Sequence, residues 1–361
     1  MTHAFGTGEP FSVGVEEELL LVAGEDGRPA DDADEVLERL PRDLPGEAMS
    51  ELHACEVEVV SPAAATVAGA IRVVAELRAA VVGTGAAPIG CGVQPATPAG
   101  EPAITPKARY RRIRDLLGDA AYTPVAGMHV HVGMPDPETA IRAFNGMRRQ
   151  LPLLQALGAN SPFRDGRDAG VASARDVVMR SWIRTGVPRA MRDFEDFCAM
   201  SDRLLRAAEV PDYTYFWWKI RPHPRLGTIE VRTLDTQTTP EDAAALAALV
   251  HALARHEAEA PEAPVPPDEL LDEAMYRAAR WGTDGSLPDA DGRLRPVGAV
   301  LNEALALAAA HARELGCEEQ LAGTARLLAD GGGAGRQRAV HAEHGMRGLV
   351  DWLVRRTAGN P

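Results

Sequence analysis

The chain has 361 residues, of which 45% are hydrophobic and 25% charged, and a formal net charge of −14. That length suits one large domain or two ordinary ones, and the composition is that of a soluble globular protein. The negative charge disfavours a nucleic-acid partner, and no apolar run is long enough for a membrane-spanning helix. Cys55, Cys91, Cys198 and Cys317 are scattered without a C-x-x-C spacing, so they read as reduced thiols of a cytoplasmic protein. The N-terminal M-T-H-A-F-G lacks the basic and apolar regions of a signal peptide.

Phe11–Val22 reads as the first strand, with Glu16 and Glu18 on one face. Glu17 falls on the other face with Val13, Val15 and Leu19, which implies a partly wet face or a bulge. A turn at Gly24–Pro29 and a short helix at Asp34–Leu40 follow. Cys55–Val60 reads as a second strand, stopped by Ser61-Pro62, with Glu56 and Glu58 on a shared face. In Thr66–Gly83, Val67, Ile71, Val74, Leu77 and Val81 recur at helical spacing. Ala87–Val93 fits a buried strand, and Gln94–Pro106 is a Pro-, Ala- and Thr-rich loop long enough to be functional.

Lys107–Leu117 is a basic helix carrying Arg109, Arg111, Arg112 and Arg114. Its arginines form a solvated face, or one turns inward to meet an anion. Met128–Gly133 is a strand with His129 and His131 on one face and Met128, Val130 and Val132 on the other. Asp136 caps a helix that has Pro137 at its first position. Asn160–Gly170 reads as a polar, glycine-containing loop leading into a helix at Ser173–Trp182 that carries Arg175 and Arg180. Asp193–Ala208 is another helix. Thr228–Asp235 is a strand with Glu230 and Arg232 opposite Ile229 and Val231, and Thr239-Pro240 starts a helix through Ala254. Pro261–Pro267 is a proline-rich connector. From Leu270 on, only helices and loops are expected. There the glycines of Gly331–Arg338 can cap a helix, and Arg336 and Arg338 are candidate anion contacts.

Four strands with an apolar back and an ionisable front imply one sheet whose front face is an active site. The alternative is a set of solvated strand faces, which four independent strands make the weaker reading. Glu16, Glu18, Glu58, Glu230 and His129 in one pocket could not all keep their charges without cations. An oxygen-rich set of this kind favours Mg²⁺ or Mn²⁺ over zinc. Such pockets hold the phosphates of a nucleotide through the metals, with arginines completing the clamp. His129-x-His131 alone would also suit a zinc pair in a metal-dependent hydrolase. There is no G-x-x-x-x-G-K-[ST] loop, and the glycine-rich segment near residue 331 has no strand before it.

Several stretches resemble one family. G-V-E-E-E-L-L-L-V, G-M-H-V-H-V-G, N-S-P-F, R-A-A-R-W-G (Arg277–Gly282), G-A-G-R-Q-R and especially W-W-K-I-R-P-H-P-R-L-G-T-I-E-V-R are similar to the YbdK-type carboxylate–amine ligases, the second class of glutamate–cysteine ligases. The resemblance spans nearly the whole chain. It implies an α+β, glutamine-synthetase-like catalytic fold, with a curved, largely antiparallel sheet flanked by helices. It also implies ATP and Mg²⁺ (or Mn²⁺) on the concave face, and an acyl phosphate made from the side-chain carboxylate of glutamate or a similar acid. An amine such as cysteine then displaces phosphate. By motif, Glu16, Glu18, Glu58, His129 and Glu230 are the implied metal ligands, and Glu230 and Arg232 the catalytic pair. Arg221, Arg225, Arg232 and Lys219 are implied phosphate contacts, and Arg109, Arg175 and His131 substrate contacts. The family's asparagine before the R-A-A-R stretch is Ala274 here, which bears on substrate-side contacts. The expectation is a single catalytic domain over residues 1–361, mostly helical from about residue 240, acting on small molecules and compatible with a homo-oligomer. A hydrolase using His129 and His131, or a catalytically altered nucleotide-binding relative, stands as the alternative.

Overall fold

β1 (Val13–Ala23) is the strand on which the main sheet is registered. It pairs antiparallel with β2 (Arg28–Pro29), β4 (Glu56–Val60), β5 (Ala87–Ile89) and β6 (Gly127–Gly133). β3 (Glu47–Ser50) extends the sheet beyond β4, and β10 (Thr228–Asp235) followed by β9 (Ile220–His223) extend it beyond β6. The order is β3-β4-β1-β6-β10-β9, antiparallel throughout. In this computed structural model, residues 1–23, 27–96, 103–261, 264 and 266–359 are described. Part of the expected turn at Gly24–Pro29, part of the loop at Gln94–Pro106 and part of the connector at Pro261–Pro267 therefore lie outside the described residues.

The helices, in chain order, are α1 (Ala33–Arg39), α2 (Val67–Gly83), α3 (Ala108–Leu117), α4 (Pro137–Arg148), α5 (Leu151–Gly158), α6 (Ala174–Met179) and α7 (Phe194–Ala208). They continue with α8 (Pro240–Glu259), α9 (Asp268–Trp281), α10 (Val297–Glu314), α11 (Glu318–Ala329) and α12 (Gly332–Thr357), the last broken at Gly345, where φ is +67°. Thr66, Asp136, Ser173, Asp193 and Thr239 cap α2, α4, α6, α7 and α8, each accepting the backbone N–H three residues on.

Alternation decides which side of the sheet is dry. Val13, Val15, Leu19, Val57, Val59, Met128, Val130, Val132, Ile229 and Val231 point to the back and are fully buried beneath α2, α4 and α8. The sequence suggests a one-sided stripe on α8, but that helix is buried nearly all round. Its alanines let α2, α4, α10 and α11 pack closely about it.

Glu17 lies on this dry side and is fully buried. Neither a wet face nor a bulge accommodates it. Instead Arg78, projecting from α2, donates to the Glu17 carboxylate over 2.7 Å and to the carbonyls of Gln237 and Thr238. The front face is dry only at one end, where Leu20, Val22 and Ile89 pack against Leu349, Val350 and Leu353 of α12.

Two small hairpins escape the sequence pattern. They are β7 (Phe163–Arg164) with β8 (Arg167–Asp168), and β11 (Ser286–Pro288) with β12 (Leu294–Pro296). The second corrects the expectation of only helices and loops after Leu270. The N-S-P-F stretch is also not a solvated loop. Asn160 and Ser161 are buried, and Asp235 accepts from the Asn160 N–H and the hydroxyls of Ser161 and Ser173 at 2.7–2.9 Å. Gln337, at the start of α12, donates to the carbonyl and side chain of Asn160. A Cβ on Gly333 would collide with that same side chain. The G-A-G-R-Q-R stretch is thus a helix start fitted to the N-S-P-F segment. All four cysteines are free, and no helix among the described residues is long and apolar enough to cross a membrane.

Candidate active site

The front face of the sheet is where the acids meet. The strand registers place Glu16 beside His129, Glu18 beside Glu58, and Glu230 between His131 and Arg221. A bulge in β10 after Val231 sets two residues, Arg232 and Thr233, opposite the single residue His129. Glu16, Glu18, Glu58, Arg109, His129, His131, Arg175, Arg221, Glu230 and Arg232 all line one cavity over this face.

His129 is the centre of the arrangement. Its Nδ1 lies 3.1 Å from Glu16 Oε2 and its Nε2 3.8 Å from Glu18 Oε1. His131 Nε2 lies 3.0 Å from Glu16 Oε1 and 3.9 Å from Glu230 Oε1, while its Nδ1 meets the Thr228 hydroxyl at 3.0 Å. Glu16, His129 and Glu230 bring one ligand atom each within 4.8 Å of one another, and Glu18, Glu58 and His129 do the same. The two groups share His129. No such group among the described residues contains both His129 and His131.

Glu230 is held by two arginines. Arg221 donates from Nε at 2.6 Å and from its far nitrogen at 3.3 Å, and Arg232 pairs with Glu230 Oε1. Burial opposes the Glu230 charge, but Arg221 and Arg232 outweigh it and hold the carboxyl below the usual range. The other end of the cluster behaves oppositely. Burial pushes Glu18 up to about 7 against the pull of Arg175. Burial together with Glu51, Glu16 and Glu18 lifts Glu58 well above its ordinary value. Burial and then Arg232 lower His129 to about 4. Burial also opposes the charged form of His131, but Glu16 and Glu230 raise it. Burial thus favours the neutral form of Glu18 and Glu58, while Glu230 stays ionised.

Four of the sequence candidates are elsewhere. Lys219 is buried against the carboxylate of Asp176 on α6. Arg225 pairs with Asp212 at 3.2 Å and is largely exposed. Arg336 is paired with buried Asp242, and Arg338 with Asp168 at 2.8 Å. None lines the cavity; each is matched to a carboxylate of its own chain. Ala274 is buried on α9, which packs on α5, and does not line the cavity either. The R-A-A-R-W-G stretch acts at a distance. The Ala279 carbonyl accepts the N–H groups of Ala172 and Ser173, which fixes the start of α6 and so the position of Arg175.

Sequence reasoning missed Glu51, His53, Tyr110, Trp182, Trp217 and His223, all of which line the cavity. Glu56 was seen only as a strand-face acid. It is bound to His53 at 3.0 Å, and His53 Nε2 reaches the Ala121 carbonyl at 2.8 Å. Trp182 donates to the neighbouring Ala120 carbonyl at 2.9 Å and stacks edge-on against Trp217. These contacts pin the turn after α3 over one end of the cavity. The W-W pair before K-I-R-P was the available signal for Trp217, since large aromatics next to a functional strand often wall a site.

Comparison with known proteins agrees with this picture. The family model described as "Glutamate-cysteine ligase family 2" matches residues 12–355. A chain from Rubrobacter xylanophilus, provisionally named glutamate–cysteine ligase 2-3, is 41% identical over 99% of this chain and 100% of its own length. The glutamate–cysteine ligase of Haloferax volcanii is 35% identical, covering 95% of this chain and 96% of its own. A solved structure of glutamate–cysteine ligase from Francisella tularensis in complex with AMP superposes with a TM-score of 0.68 at 12% identity, over 98% of this chain and 89% of that one. That likeness concerns the fold, which is that of the glutamine-synthetase-like ligases. With the family model and full-length relatives in agreement, the chain is a ligase belonging to glutamate–cysteine ligase family 2.

Proposed function

We propose that the protein is an ATP-dependent carboxylate–amine ligase. It joins the side-chain carboxylate of glutamate, or a similar acid, to an amine such as cysteine through an acyl phosphate. The observation that carries this reading is the convergence of Glu16, Glu18, Glu58, Glu230 and His129 on one sheet face, in two groups sharing His129, with Arg221 and Arg232 beside them. The names of the relatives and the AMP bound in the Francisella structure support the same reading.

The donor set fits divalent magnesium or manganese. It is rich in carboxylate oxygen, burial disfavours the charges of Glu18 and Glu58 in a way that a bound cation would offset, and the buried His129 Nε2 has no hydrogen-bond partner. Glu16, His129 and Glu230 would hold one ion, and Glu18, Glu58 and His129 another. When bound, such ions supply positive charge that offsets the phosphate oxygens.

The chain's own groups do the remaining work. Arg232, half fixed by Glu230, faces the transferring phosphoryl group and offsets the charge that develops on it. Arg221 keeps Glu230 ionised and in place. Arg109 and Arg175 are the cations that orient the acid substrate so that its side-chain carboxylate meets the γ-phosphate, and His131 borders the same space. The carboxylate takes the γ-phosphoryl of ATP, releasing ADP. The amine then attacks the acyl carbon, forming the C–N bond as the C–O bond to phosphate breaks, and the proton lost from the nitrogen leaves with the phosphate. Trp182 and Trp217, tied over the cavity, limit the access of water that would hydrolyse the acyl phosphate.

The test is phosphate release from ATP in the presence of Mg²⁺ and a panel of amino acids and amines. Release that requires both an acid and an amine is expected. Release indifferent to both would contradict the reading.

A further inference from the structure

Asp235 ends β10, the strand that carries Glu230 and Arg232, and it is fully buried. It does not line the cavity. Its Oδ2 accepts the Asn160 N–H at 2.8 Å and the Ser161 hydroxyl at 2.7 Å, and its Oδ1 accepts the Ser173 hydroxyl at 2.9 Å. Both hydroxyls lead on to the first turn of α6. The Arg175 N–H donates to Ser161 Oγ and the Asp176 N–H to Ser173 Oγ, each at 3.1 Å. A Cβ on Gly92 would lie 2.6 Å from the Asp235 carboxyl carbon, so this side chain is closely walled in.

Arg175 lines the cavity and is 5% exposed, yet its own side chain is loosely held. Its Nε is buried without a partner, and its other two nitrogens reach the Arg232 carbonyl only at 3.4 and 3.5 Å. Asp235 stands opposite Gly127 in the pairing of β10 with β6. A Cβ on Gly127 would overlap Arg175 Nη2. The guanidinium therefore fills the place of a side chain on the residue that faces Asp235. The Gly127 N–H goes to Glu18 Oε2 at 2.5 Å, so the cation stands between the Asp235 and Glu18 carboxylates.

We propose that Asp235 is the positioning residue for Arg175, setting through Ser161, Ser173 and its own charge where the guanidinium stands in the cavity. This rests on the ligase reading given above, in which Arg175 orients the acid substrate. Opposite charges attract strongly across a dry gap, and the hydrogen bonds at the start of α6 fix the backbone from which the arginine hangs. Such a cation serves only if its place is fixed, since a shift of about 1 Å can cost on the order of a hundredfold in rate. Burial raises the Asp235 carboxyl, and Arg175 is the first group that pulls it back. Arg175 also leads the groups that pull Glu18 down against burial.

The experiment compares wild type, Asp235→Asn, Arg175→Ala and the double variant in two ways. One is steady-state kinetics with ATP, Mg²⁺, glutamate and an amine from the panel above; the other is urea unfolding. Asparagine keeps the shape and removes the charge. Asp235→Asn should raise the KM for glutamate at least about tenfold and that for ATP less than about twofold, and should add nothing to the rise that Arg175→Ala causes. In urea, Asp235→Asn should lower the midpoint when Arg175 is present but not when it is absent, because the buried carboxylate then has no cation to balance. Equal losses of stability in both backgrounds, or equal rises in the two KM values, overturn the proposal. If Asp235→Asn does not fold, Ser173→Ala cuts the same link and keeps the charge, and an unchanged KM for glutamate in that variant overturns the proposal as well. Coupled stabilities together with a normal glutamate KM in Arg175→Ala uphold the positioning and sink the substrate role of Arg175. Coupled stabilities without any turnover of glutamate uphold the positioning and sink the ligase.

Discussion

Arg78 and Glu17 meet 2.7 Å apart on the side of the sheet that water does not reach. Both are at most 1% exposed. Burial raises the Glu17 carboxyl and Arg78 pulls it back. Removing one partner of such a pair leaves an uncompensated charge, which typically costs about 3–5 kcal/mol. Arg78→Met should therefore destabilise the fold by roughly that amount in urea unfolding. Adding Glu17→Leu should recover part of the loss, because the buried charge is gone. A double variant less stable than Arg78→Met would show that the guanidinium acts mainly through the Gln237 and Thr238 carbonyls.

The front face predicts a pH dependence. Above pH 7 the glutamates of an unfolded chain are ionised, but in the fold Glu18 and Glu51 are raised to about 7 and about 8, and Glu58 is raised as well. His131 likewise keeps its proton above the ordinary 6.5. The native state then binds more protons than the unfolded one, so stability of the metal-free protein should fall as pH rises from 7 to about 8.5. His129 and His223, lowered to about 4, act in the opposite sense only below about 6.5, where unfolded imidazole gains a proton. Magnesium must displace the extra protons, so its stabilising effect should be larger at pH 8 than at 6.5. Melting curves with and without Mg²⁺ check both statements. A metal-free midpoint that climbs between pH 7 and 8.5 would contradict them.

Arg232 shares its face with Glu230 and borders His129, with a nitrogen 3.5 Å from Nδ1. Arg232→Lys keeps the charge and loses the planar fork. Turnover should drop at least about tenfold, or ~1.4 kcal/mol in barrier, with little change in melting temperature. A lysine variant with unchanged kinetics would make this arginine structural.

Arg336 and Arg338 should divide differently. Asp242 is 1% exposed and holds both Arg326 and Arg336, so Arg336→Ala should lower stability measurably, by about 1–3 kcal/mol. Arg338 and Asp168 are both partly exposed, and Arg338→Ala should cost under about 1 kcal/mol. Neither should change the KM for ATP. A selective rise in that KM would restore an anion role to the segment.

What the sequence made legible follows from the two-residue period of strands. Glu16, Glu18, Glu58, His129, His131, Glu230 and Arg232 were readable because each alternates with a valine, isoleucine, leucine or methionine that must face the core. The period carries no information about partners that arrive from other elements. Glu17 breaks the pattern, and its explanation, Arg78, is 61 residues away on a helix. Nothing in the local sequence of Lys219 and Arg225 announces their pairing with Asp176 and Asp212. Glu51 and His53 lie in a short turn with no periodicity, and strands of two or three residues such as β7, β8, β11 and β12 leave no pattern at all. The Asn160 segment is polar in composition and buried in fact, because Asp235 and Gln337 satisfy it.

The acyl phosphate is the centre of the account, and it leaves an isotopic trace. With glutamate carrying ¹⁸O in its side-chain carboxylate, one labelled oxygen should pass into the phosphate released in each turnover, because the carboxylate oxygen that takes the phosphoryl group departs with it. Mass spectrometry of the phosphate from a reaction with ATP, Mg²⁺ and an amine reads this directly. One ¹⁸O per phosphate is the predicted result. Turnover of glutamate that yields phosphate without label would mean that the carboxylate is never phosphorylated, and would contradict the proposed mechanism.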